Sequence, residues 1–185
     1  MKLSRFSDKN ILFIFIDLQK KLLDKIGASR RLVDNNILLL KAAEALQIPC
    51  LVTSQYRKGL GEIDPFFASN YAGEVFDKRA FSCVADTPIR ERIQSFENEW
   101  VIVSGIETHI CVLQTALDLL RNGQNVAFVA DATGARGDLD HQAGLERMER
   151  SGAMKVTTEM LIYELLGSSD SENFKKILPL IKERG

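Results

Sequence analysis

The sequence predicts a three-layer α/β domain with a mostly parallel central sheet and helices on both of its faces. Three observations predict it. Short apolar runs alternate with segments of helical period along the whole chain. The first run, Ile11-Leu12-Phe13-Ile14-Phe15-Ile16, is continuous rather than alternating, as in strands covered on both faces. No internal repeat or linker interrupts the 185 residues, a length that suits a single domain spanning 1–185 with a sizeable core.

Residues 11–16 form the first strand and run into Asp17-Leu18-Gln19. Open parallel sheets place their sites at the carboxyl ends of central strands. A lone Asp is nevertheless more often a cap or loop carboxylate. Residues 32–46 read as an amphipathic helix that ends before Ile48-Pro49. Residues 50–53 are a second strand, with Pro49 at its start and Cys50 in the core. Residues 54–73 are less regular. Gly59 and Gly61 mark a loop and Asp64-Pro65 opens a turn or short helix. Tyr56, Phe66, Phe67 and Tyr71 either wall a pocket or pack beneath that loop. Residues 74–76 are a short third strand, followed by Asp77-Lys78-Arg79-Ala80-Phe81-Ser82-Cys83. On position alone Lys78 is a solvated lysine. Residues 87–96 read as a helix, with Thr87 as its cap, Pro88 in its first position and Glu91 completing a capping box.

The stretch from Trp100 to Gly123 organises the rest. Residues 100–103 are a buried strand, and Ser104-Gly105 breaks the run. Thr108 then caps a helix with Ile110, Leu113, Leu117 and Leu120 at helical spacing and Asn122-Gly123 as its stop. Cys111 therefore lies in a first helical turn, where free amides and the helix dipole favour negative charge. A thiol there tends toward thiolate, and the same amides could hold an oxyanion. Cys111 is equally readable as a small core residue, since free cysteines are usually buried.

Residues 125–130 are a further strand ending in Asp131-Ala132-Thr133-Gly134. Residues 138–151 are a helix and residues 154–156 a short last strand. Thr157 starts a helix to residue 166, Gly167 begins a turn, and residues 172–183 form the final helix. Met160, Leu161, Tyr163, Leu165, Phe174, Ile177 and Ile181 give these two helices much apolar surface. A homo-oligomer is therefore expected, the alternative being that both helices simply close the sheet's last face.

Lys and Arg number 24 against 25 Asp and Glu, for a net charge of −1. No basic stripe points to nucleic acid. Residues 11–16 are too few to span a membrane. No cleavage site follows them, so a signal peptide is not expected despite Lys2 and Arg5. Three cysteines make no disulfide framework, and a cytoplasmic location is expected. No nucleotide-binding glycine loop is present, and two histidines, His109 and His141, are too few for a convincing metal site. No cofactor is expected. Asp17, Lys78 and Cys111 each follow an expected strand, and in a parallel sheet those ends share one edge. An acid, a base and a thiol converging there form a nucleophilic site for a small-molecule substrate.

Three blocks in order, Phe15-Ile16-Asp17-Leu18-Gln19, Lys78-Arg79-Ala80-Phe81-Ser82 and Gly105-Ile106-Glu107-Thr108-His109-Ile110-Cys111-Val112, resemble the isochorismatase-like cysteine hydrolases. Asp131 to Gly134 and residues 152–166 extend the resemblance over about the whole chain. The overall look is that of small isochorismatase-domain hydrolases of unassigned substrate. The resemblance implies a triad of Cys111, Asp17 and Lys78, and a cis peptide between Ile106 and Glu107 that aims the Glu107 amide, with that of Cys111, at a substrate oxygen. It implies cleavage of an amide or related carbonyl compound through a thioacyl-enzyme. Gln19, Tyr56 and Phe81 are the candidates for contact with substrate. Nicotinamidases of the family bind a metal through histidines after the second strand. Residues 54–64 contain none, so that activity is not implied. True isochorismatases cleave a vinyl ether, some without the cysteine, and Cys111 leans toward acyl chemistry. The class alternative is a non-catalytic or redox-acting member with Cys111 as an oxidisable thiol.

Overall fold

The structure, a computed structural model, describes residue 6, residues 11–27 and residues 29–182. Among the described residues six strands form one sheet, ordered β3-β2-β1-β4-β5-β6. They are β1 (Ile11–Ile16), β2 (Cys50–Gln55), β3 (Val75–Lys78), β4 (Trp100–Ile106), β5 (Asn125–Gly134) and β6 (Met154–Val156). Every neighbouring pair is parallel. The chain steps outward from β1 to β3, then returns to the other side of β1 with β4. That reversal opens a crevice beyond the carboxyl ends of β1 and β4, where doubly wound sheets bind ligands.

The helices are α1 (Lys20–Leu23), α2 (Ser29–Ala45), α3 (Arg57–Leu60), α4 (Pro65–Ala68), α5 (Thr87–Gln94), α6 (Leu113–Arg121), α7 (Asp138–Arg150), α8 (Thr158–Leu166) and α9 (Glu172–Lys182). The expected end of the last helix at residue 183 lies outside the described residues. The period-2 geometry of β1 divides its apolar run between two cores. Ile11, Phe13 and Phe15 pack with buried residues of α2, α8 and α9, and Leu12, Ile14 and Ile16 with those of α5, α6 and α7. Each such buried side chain contributes roughly 2 kcal/mol of transfer free energy. This is why the run has no polar face.

Several expected boundaries move. β2 continues past residue 53 through Ser54 and Gln55, and β3 ends on Lys78 rather than before it. β4 runs through Ser104 and Gly105 instead of breaking there. The Ser104 hydroxyl is satisfied inside the core, donating to Asn36 Oδ1 at 2.7 Å. Gly105, at φ +108°, is needed because a Cβ there would collide with the Ile16 backbone of the adjacent strand. Asp86, not Thr87, takes the cap position of α5, without a side-chain cap bond, so the expected capping box is absent. The Thr157 cap is present and accepts from the Met160 amide.

The apolar surface expected on the last two helices is mostly consumed by the fold. Leu161 and Ile177 are fully buried, and Leu165, Phe174 and Ile181 pack against the core beside α2. Met160 and Tyr163 stay open, 56% and 46% exposed. Among the described residues no helix is long and apolar enough to cross a membrane.

Candidate active site

Asp17 leaves β1 in the left-handed region, at φ +53°. Asp is among the few non-glycine residues that occupy it readily. The bend buries the carboxylate at the sheet's carboxyl edge. Its Oδ1 accepts from the Thr53 hydroxyl at 2.8 Å, and its Oδ2 lies 2.7 Å from Lys78 Nζ.

Lys78 is the last residue of edge strand β3, two strands from β1, and its stem crosses the end of β2 to reach Asp17. It is completely buried, so the reading as a solvated lysine is overturned. Its ammonium has three donors and three acceptors: Asp17 Oδ2, Gln55 Oε1 at 2.6 Å and Ala80 O at 3.3 Å. Burial pulls its pKa down. The Asp17 carboxylate, with Cys83 and Cys111, more than reverses this and leaves it above the ordinary lysine value.

Cys111 sits in a π-helical turn, Thr108–Val112, that leads into α6. The Glu107 carbonyl accepts from the amides of Ile110 at 3.0 Å and Val112 at 3.3 Å, on either side of Cys111. Thr108 is not the cap. Glu107 holds that position, and the Thr108 hydroxyl instead pairs with His141 Nδ1 at 2.8 Å. The Cys111 side chain is 6% exposed, with Sγ 3.9 Å from Gln55 Oε1. Burial pushes its thiol well above the ordinary value, and the Asp17 charge adds to this against the opposing pull of Lys78. Burial and the neighbouring Asp17 charge thus work against the thiolate that the helix start alone favours. Burial also raises Cys83 to about 11 and Cys50 to about 12. Cys50 is partly exposed rather than in the core, and all three cysteines are free.

The Ile106–Glu107 peptide is cis. Ile106 is buried and pairs with Gly134, while the Glu107 carboxylate accepts from the backbone and Nε of Arg136 at 3.0 and 3.1 Å. Gln19 is turned inward. Its fully buried amide grips the Gln55 backbone, accepting from N at 2.8 Å and donating to O at 3.1 Å, and also donates to Gly61 O at 2.6 Å. Tyr56 is partly exposed, with the Arg79 guanidinium 3.9 Å over its ring. Phe81 is 53% exposed. Of the other loop aromatics, Phe67 is buried on Phe15 while Phe66 stays exposed. Among the described residues no group of three or more His, Cys, Asp or Glu could hold a metal ion.

Two residues escape the sequence reading, Thr53 and Gln55, which bind Asp17 and Lys78. The rule that singled out Asp17, a polar group at the carboxyl end of a central strand, also applies to them. Ending β2 at residue 53 hid Gln55, whereas Thr53 stood at the expected strand end and was passed over.

Sheet order, crevice and cluster together define an isochorismatase-type hydrolase fold. The sequence profile of the isochorismatase domain matches residues 12–160, and the chain belongs to the isochorismatase family. Isochorismatase domain-containing protein 2A of Mus musculus is 37% identical over 180 residues, which cover 95% of this chain and 84% of the mouse protein. The solved structure described as MAR1 ribonuclease from Caenorhabditis elegans is 36% identical, with a TM-score of 0.90 over 97% of this chain and 93% of that one. The YcaC gene product of Escherichia coli, described as an octameric hydrolase of unknown specificity, shares the fold at a TM-score of 0.91 and 18% identity, over 100% of this chain and 94% of that one.

Proposed function

We propose that the chain is a single-domain cysteine hydrolase that cleaves a small amide or related carbonyl compound, with Cys111, Asp17 and Lys78 as its catalytic residues. The observation that carries this reading is the buried Asp17–Lys78 pair at 2.7 Å, with Gln55 Oε1 2.6 Å from Lys78 Nζ and 3.9 Å from the Cys111 thiol. Cys111 Sγ attacks the carbonyl carbon, and Asp17 takes the thiol proton as the C–S bond forms. The amides of Glu107 and Cys111 hold the oxyanion. Asp17 returns the proton to the departing nitrogen as the C–N bond breaks, leaving a thioester. Water, giving its proton to Asp17, then hydrolyses the thioester, and the thiol regains that proton. Lys78, with all three donors engaged, acts through Asp17 rather than on the substrate.

The test is a panel of small amides, ureas and carbamates, scored for ammonia or amine release by the wild type and by Cys111→Ala. Turnover by the wild type alone supports the reading. Cleavage of a vinyl ether without nitrogen release would assign the isochorismatase reaction instead. A silent panel would favour a binding or redox role for Cys111. An RNA substrate belongs in the panel because the C. elegans relative is described as a ribonuclease. Against that activity stand the net charge of −1 and a Lys78 ammonium that is fully buried and engaged within the protein. We further propose that the reaction needs no metal: exhaustive chelation should leave the rate unchanged, and loss restored by zinc or iron would refute this.

A further inference from the structure

We propose that Gln55 is a positioning residue that fixes the Lys78 ammonium between Asp17 and the Cys111 thiol, and that Gln19 in turn fixes Gln55. The inference rests on the site assignment above. The orientation of the Gln55 amide is decided by its partners. Lys78 can only donate, so the atom 2.6 Å from Nζ is the oxygen. The Arg79 carbonyl can only accept, so the atom 2.8 Å from it is the nitrogen. The oxygen also lies 3.9 Å from Cys111 Sγ and so stands between ammonium and thiol.

The backbone that carries this side chain is held as firmly as the side chain itself. Gln19 pairs with Gln55 N and O as a further strand would, while its remaining N–H goes to the loop at Gly61. A run of hydrogen bonds thus passes from Gly61 through Gln19 and Gln55 to Lys78, Asp17 and Thr53.

The chemistry explains why an uncharged acceptor suits this place. The charged or titratable groups acting on Lys78 are Asp17, Cys83 and Cys111. Asp17 is the one carboxylate among them. A second carboxylate at position 55 would compete for the ammonium and oppose ionisation of the thiol. An apolar side chain would leave one N–H of a buried ammonium without an acceptor, and Lys78 would shift away from its present position.

The experiment is the pH dependence of Cys111 alkylation by iodoacetamide, followed for each cysteine by peptide mass mapping. It needs no substrate. Gln55→Met keeps the volume and removes the acceptor. It should raise the apparent pKa of Cys111 alkylation by about one unit. Lys78→Met should raise it further, and Gln55→Met added to Lys78→Met should raise it no more, because the lysine is then gone and the contact that remains, from the Cys111 thiol to Gln55 Oε1, favours the neutral thiol. Gln55→Glu keeps the acceptor and adds charge, and should raise the value more than Gln55→Met does. It carries the test if the Met variant fails to fold. A profile for Gln55→Met, or for Gln55→Glu, that superimposes on wild type would overturn the inference, as would a Gln55→Met shift that adds in full to that of Lys78→Met. Should the amide panel be silent while these shifts appear, the hydrolase reading alone falls. Turnover of an amide with no such shift removes Gln55 alone.

Discussion

At the scale of single residues, Asp17 and Lys78 form a pair whose removal is costlier than its presence is stabilising. Both side chains are out of water and 2.7 Å apart. Taking away one partner leaves a buried charge without compensation, typically about 3–5 kcal/mol. Lys78→Met is therefore expected to lower the urea midpoint sharply, and a stability equal to wild type would contradict the pairing. The thiols add a second prediction. Burial holds Cys83 at about 11, against 9.0 for a free thiol, so from about pH 9 the unfolded chain loses a proton that the folded chain keeps. Cys111 acts in the same direction, as does Lys78, whose contribution is complete below its ordinary 10.5 and is lost as pH rises through its raised folded value. Stability should be level from pH 7 to 8 and fall above pH 9, by about 1.4 kcal/mol per unit for each such thiol. A urea midpoint that rises over that range would refute it. The sequence disclosed these residues unevenly. Asp17 and Cys111 stand out by position after strong strands. Lys78 does not, since a buried lysine on an edge strand is uncommon; it was singled out only in combination, by sharing the edge of strand ends with Asp17 and Cys111 and then by the family resemblance. The ionisation of Cys111 was misread because a helix start and a nearby cation are visible in sequence, whereas the depth of burial is not.

At the scale of elements, the end of β4 carries the turn that holds Cys111. Gly105 lets β4 lie against Ile16 there, and a methyl group would strike that backbone in a conformation β-carbons already avoid. Gly105→Ala should cost at least about 2 kcal/mol. Gly152→Ala meets open space and carries only the strain of its positive φ, so it should cost less. Equal urea midpoints for the two variants would count against the close approach. The apolar periods of β1, α2 and α6 were legible because burial on two faces or one leaves a direct mark on the sequence. The π-helical turn was not, because it depends on which amides Glu107 reaches in three dimensions. The same limit hid α1 and α3, single turns of four residues.

At the scale of the whole molecule, the alternation of strands and helices foretold the layers, but not the strand order. Only the order places Asp17 of β1 and the turn after β4 on the two sides of one crevice. Part of the apolar surface that looked free on the last two helices in sequence is covered by α2. What remains open, Met160 and Tyr163 on α8, Phe66 on α4 and Phe81 after β3, supports the homo-oligomer that we propose. Light scattering at micromolar concentration should give a multiple of the 20.7 kDa chain, and a monomer would contradict it.

The central claim is that Asp17 makes Cys111 a nucleophile although burial keeps it a thiol. Competition among the three cysteines for iodoacetamide at pH 7 tests it most directly. Cys50 is partly exposed, so accessibility alone would favour it, and Cys83 is fully buried. The account predicts that Cys111 is alkylated first, that activity is lost in step, and that Asp17→Asn costs turnover more than labelling, because alkylation needs no protonation of a leaving amine. Labelling of Cys50 or Cys83 ahead of Cys111, or an Asp17→Asn variant that keeps full turnover, would contradict it.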